Sequence, residues 1–171
     1  MNPVVLTLKR WYRAYIHALG YGQPVFLLIV RLLVGWGFLL AGSGKLEHPD
    51  AHARDFAAWG VPMPAVNVYA AGTAETVCGF LLMLGAASRL ITIPLIGTMI
   101  VAYATAHKDV FHCMGSSPSG FVQAFVSAAP FPYLVVALVV LLFGPGLFSV
   151  DGLLKRLYFD KPCPAEGKVH D

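Results

Sequence analysis

The chain has 171 residues, 57% of them hydrophobic and only 12% charged, with a mean hydropathy of +0.68 and a formal net charge of +3. About a quarter of an average soluble domain is charged; half of that charge is missing here, which excludes a soluble enzyme, a nucleic-acid surface and a disordered scaffold. Cys78, Cys113 and Cys163 lie far apart and form no C-x-x-C, so no disulfide scaffold, zinc ribbon or thiol relay is encoded.

Residues 1–23 are basic and aromatic (Lys9, Arg10, Trp11, Tyr12, Arg13, Tyr15) and predict an interfacial amphipathic helix. A cleaved signal peptide does not fit, because the apolar run that follows is too long and starts late. Crossing a hydrocarbon core of about 30 Å takes roughly 20 apolar residues. The first candidate span is 24–44, with Arg31 as its single charge. Its end, Gly42-Ser43-Gly44-Lys45, resembles part of a phosphate-binding loop. Leu39 stands where that loop needs glycine and Leu46 where it needs Ser or Thr, so it reads as a helix end.

Residues 45–63 form a loop, followed by a second span over 64–87 with Glu75 as its only charge. A tight turn at 88–89 leads to a third, uncharged span over 90–106, with Pro94 in its first turns. After a Met-Gly-Ser-Ser-Pro-Ser-Gly turn, 121–129 is apolar but too short to cross; it is re-entrant, interfacial or a bent extension of the next helix. The fourth span, 130–148, is rich in Leu and Val and exits at Gly144-Pro145-Gly146. Asp151 is the expected cap of a short amphipathic segment over 152–159, and 153–171 is expected to be a C-terminal cytoplasmic tail. The expected fold is all-α: an integral membrane four-helix bundle over 24–152 behind an interfacial helix.

Loop cations set the expected orientation. With both termini inside, the inner side holds Lys9, Arg10, Arg13, Arg89, Lys155, Arg156, Lys161 and Lys168, against Lys45, Arg54 and Lys108 outside. That predicts N-in, C-in, with Cys78 in the membrane, Cys113 outside and Cys163 inside.

An ionisable group deep in a span costs about 2.5 to 3.5 kcal/mol on insertion scales, so Arg31 and Glu75 are expected to meet. Small residues accompany both: Gly35 and Gly42 share a stripe with Arg31, as do Ala71, Gly72, Cys78 and Gly79 with Glu75. Such a pair either fixes helix register or forms a polar pocket for a headgroup or a proton, which makes Glu75 and Arg31 the catalytic candidates. Lys45, His48, His52, His107, Lys108, His112 and Cys113 gather at the outer ends of the spans. His48 and His52 have i, i+4 spacing but no accompanying acid at a diagnostic position, so solvated loop histidines are expected rather than a metal site. Haem requires two histidines facing each other within the bundle. Only His107 approaches a span, so haem is not expected; flavin and metal are not expected either.

Three groups of residues resemble the DoxX family of small bacterial inner-membrane proteins. They are Arg31-Leu-Leu-Val-Gly35 leading to Gly42-Ser-Gly-Lys45-Leu, then Ala74-Glu75 with Gly79, Leu84-Gly85 and Arg89-Leu90, and finally Gly144-Pro145-Gly146 with Ser149-Val-Asp151. The resemblance covers about 24–152 and implies a four-helix bundle and an association with quinone-linked membrane redox complexes. A quinone site would draw on Arg31, Trp36, Tyr69, Glu75, Tyr103 and His107, with electrons delivered by a protein partner. The alternatives are a non-catalytic structural or assembly subunit and, third, a small-molecule or proton transporter. A homo-oligomer fits any of the three; nucleic acid fits none.

Overall fold

A computed structural model describes residues 3–112 and 117–158; Cys113, Cys163 and the tail from residue 159 lie outside them. The described residues form eight helices and no strand: α1 (Pro3–Glu47), α2 (Pro49–Ala58), α3 (Pro64–Leu84), α4 (Ser88–Thr105), α5 (Asp109–His112), α6 (Pro118–Ser127), α7 (Pro130–Phe143) and α8 (Val150–Tyr158). The protein is an all-α integral membrane bundle. Helices α1, α3 and α4 are each long and apolar enough to cross a membrane. Helix α7, about 21 Å long at 1.5 Å per residue, passes the same test together with α6, from which it is bent by 81°. The short apolar stretch is thus a helix of its own, sharply bent from the next, a form that fits a broken span or a re-entrant segment.

The boundary expected near residue 23 is not a break. Helix α1 runs for 45 residues, about 68 Å, with Pro24 inside it. The proline costs one backbone hydrogen bond, and the helix continues through it. The described side chains of 6–23 are all exposed, and close packing onto the bundle starts with the turns around Leu27 and Arg31.

Helices α1 and α3 form the most extensive contact, α4 and α7 the next. Glycines spaced two turns apart set the α1/α3 register. A Cβ on Gly35 would lie 2.9 Å from the Gly79 carbonyl oxygen, and one on Gly42 would lie 2.7 Å from that of Gly72. Backbones this close exchange dispersion contacts that larger side chains would prevent. Phe38, Leu82, Ile91, Leu95 and Val140 fill the core, with half-buried Cys78 against them.

Turn chemistry terminates the spans. Gly85 adopts a left-handed conformation (φ +70°) and closes α3 in a Schellman arrangement, its N–H donating to Leu82 O and that of Ala86 to Leu81 O. Gly144 and Gly146, also at positive φ, end α7 at Phe143, so 144–149 is a folded loop rather than the last turn of a span. Residues 45–63 are more ordered than a plain loop: α2 begins with Pro49 at its first turn and Asp50 near its N-terminus, where both are favoured.

Candidate functional site

The two intramembrane charges do not meet. The glycine pairs 35/79 and 42/72 place Arg31 across from Met83 and Glu75 across from Leu39, about 12 Å further along the axis. The expected Arg31–Glu75 pair placed both groups by their depth within their own helices, whereas backbone docking at the glycines decides what faces what.

Arg31 is 1% exposed and donates to three carbonyls: Pro145 O at 2.5 Å, Phe148 O at 2.7 Å and Met83 O at 3.4 Å. Its Nε has no acceptor among the described residues. The nearby acid is Asp151, which attracts the guanidinium electrostatically. The Asp151 carboxylate accepts from the Ala87 and Ser88 N–H groups at 2.7 and 2.8 Å, and its own N–H donates to Gly85 O. Asp151 thus caps the start of α4, correcting the expectation that it caps the segment after it. That role falls to Ser149, whose Oγ accepts from Gly152 N–H at 2.9 Å and donates to Gly146 O at 2.7 Å. Arg31, Gly85, the Gly-Pro-Gly loop, Ser149 and Asp151 make a latch that ties α1, α3, α4 and α7 together at one end of the bundle.

Glu75 binds Lys45 instead. Lys45 Nζ donates to Glu75 Oε2 at 2.5 Å and to Ala41 O at 3.3 Å, with the two side chains only 17% and 5% exposed. An ammonium carries three N–H donors, so one remains beyond these two bonds. The pair sits in the wall of a cleft of about 610 Å³ between α1, α2, α3, α4 and α7. Alanines of α3 and α4, Phe38, Phe56, Val61 and Met99 supply apolar walls; His52, Trp59, Asn67, His107 and Tyr133 add polar groups. Lys108 ties the far side together by donating to Trp59 O at 2.8 Å.

Of the six candidate ligand-binding residues, Glu75 and His107 line this cleft. Trp36 and Tyr69 are exposed on the bundle surface. Tyr103 is buried beside it, stacked on Phe125 with centroids 4.6 Å apart and donating to Phe125 O at 2.8 Å, which fastens α6 to α4. Arg31 belongs to the latch. Lys45 and His52 stood out in the sequence only as end-of-span cations and histidines; Trp59, Asn67 and Tyr133 carried no signal, because only the folding of α2 over α3 and of α7 against α4 brings them here. His48 lies exposed before α2, and no group of three His, Cys, Asp or Glu side chains among the described residues is placed to hold a metal. The described part of His112 ends α5, and Cys113 is outside the described residues.

Two curated relatives share the chain's length as well as its pattern. One is the uncharacterized membrane protein Rv3486 of Mycobacterium tuberculosis, 29% identical over 149 residues that cover 82% of this chain and 86% of the relative. The other is an uncharacterized protein of Haemophilus influenzae, 28% identical over 143 residues, covering 81% and 89%. No solved structure matches. Residues 26–108, from the approach to Arg31 through the end of α4, match the family model DoxX. They contain the glycine register, the Lys45–Glu75 pair and most of the cleft, so the stretch that builds the site is the stretch that is similar to the DoxX family.

Proposed function

We propose that the protein binds a lipid-soluble quinone in the Lys45–Glu75 cleft, as a subunit of or accessory to a redox complex in the bacterial inner membrane, with both termini inside. The observation that carries this reading is a nearly buried ion pair opening onto an apolar cavity of about 610 Å³. Small-molecule sites commonly have this size and this mix, with apolar walls and a few convergent polar groups. The alanines of α3 and α4 supply apolar walls for a planar ring, and the spare Lys45 N–H is a hydrogen-bond donor for a ring carbonyl. His52 and His107 line the cleft as further groups able to hydrogen-bond a ligand. A quinone, when bound, carries two electrons and two protons; the electrons would come from a partner protein.

The full-length protein in mild detergent, titrated with a short-chain ubiquinone analogue, tests this. Quenching of Trp59 emission at micromolar analogue, weakened in Lys45→Met and absent in Trp59→Phe, supports it. No binding at that concentration overturns it.

A second reading, a non-catalytic structural or assembly subunit, is favoured by a separate observation. Arg31, Gly35, Gly42, Gly79, Gly85, Ser149 and Asp151 all serve helix docking or the latch, and the described side chains of residues 6–23 are exposed. Turnover by the isolated protein would contradict that reading.

A further inference from the structure

At the latch end, away from the cleft, lies a second cavity of about 640 Å³ between the turn before α4, the Gly144-Pro145-Gly146 loop and α8. We propose that it binds the phosphate headgroup of an anionic phospholipid, held by Arg89, Lys155 and Arg156.

All three cations line the cavity and are exposed, and none has an acidic partner among the described residues. The one acid there, Asp151, is already engaged by the Ala87 and Ser88 N–H groups. The remaining field is positive. Below the cations the lining is apolar: Leu90, Phe143 and Leu147 are 70%, 72% and 59% exposed, a surface suited to the first carbons of acyl chains. Helix α8 has the matching polarity. At 100° per residue Val150, Leu153, Leu154 and Leu157 share one face, and Lys155 and Arg156 flank it. Long cationic side chains beside an apolar helix face reach the phosphate level while their stems stay in the hydrocarbon. The latch fixes where α8 begins, so the two α8 cations are brought to Arg89 by the fold.

The test is retention of phosphatidylglycerol against phosphatidylcholine by the full-length protein, counted by native mass spectrometry from mixed micelles. Phosphatidylglycerol is expected to be retained preferentially and displaced by salt. Each cation removed, in Arg89→Gln or Lys155→Gln/Arg156→Gln, lowers its affinity about fivefold. Lys155 and Arg156 make no described contact that the fold needs, so their variant separates binding from folding. Replacing Lys9, Arg10 and Arg13 by Gln leaves retention unchanged. Equal retention of phosphatidylcholine, indifference to Lys155→Gln/Arg156→Gln, an equal loss in the Lys9 variant, or full displacement by millimolar inorganic phosphate would each overturn the proposal.

Discussion

Lys45 and Glu75, 30 positions apart on neighbouring antiparallel helices, form a 2.5 Å ion pair in the wall of the large cleft. Breaking one side of such a pair leaves the other charge without compensation, which costs about 3 to 5 kcal/mol in buried settings. Glu75→Gln and Lys45→Met are each expected to lower the midpoint of thermal unfolding in detergent. The double variant Lys45→Met/Glu75→Met is expected to recover most of that loss while binding no quinone analogue. Stability and binding are thereby separated in one set of proteins.

The latch predicts a different pattern. Arg31→Gln removes charged hydrogen bonds to Pro145 O and Phe148 O and leaves two partly buried carbonyls without that donor, at a cost of about 2 to 4 kcal/mol. Asp151→Asn weakens the cap on α4 by about 1 kcal/mol. Limited proteolysis should cut between residues 144 and 149 faster in Arg31→Gln than in the wild type. Equal rates would show that the loop holds without Arg31.

Glycine substitutions should divide by what they face. Gly42→Ala sets a Cβ 2.7 Å from Gly72 O and should separate α1 from α3. Gly44→Ala, on the same helix, meets nothing within 4 Å and should be neutral or stabilising by up to about 1 kcal/mol. Unfolding in detergent measured on both proteins decides whether the glycine pairs set the register.

Tyr103→Phe removes the hydroxyl that donates to Phe125 O but keeps the ring stack. The expected cost is about 1 kcal/mol. It should appear as faster amide exchange in α6, with α3 unchanged.

The spans and their ends could be read from the chain because both signals are local. Apolar length marks α1, α3 and α4, and Gly85, Gly144 and Gly146 mark where helices stop. What escaped depends on register between distant segments. Arg31 and Glu75 are conspicuous as isolated charges, but their partners are set by where Gly35 meets Gly79 and Gly42 meets Gly72, which no single-helix periodicity contains. Lys45 looked like an ordinary cation at a span's end, and its four-carbon stem turns it back to Glu75. Asp151 looked like a local cap because capping is usually local, whereas its two bonds go to Ala87 and Ser88 at the start of α4. The cleft was only partly legible, through Glu75 and His107; α2 closes it with side chains from a segment whose composition resembles a loop.

The unbroken course of α1 has a mechanical consequence. One stiff rod carries Lys45 near one end and the exposed basic and aromatic arm at the other, with its contact against α3 between them. A tilt of about 10° around the Gly35–Gly79 crossing would sweep the start of the arm through about 8 Å. A lever of that ratio turns a slight adjustment at the cleft into a displacement the size of a side chain at the far tip.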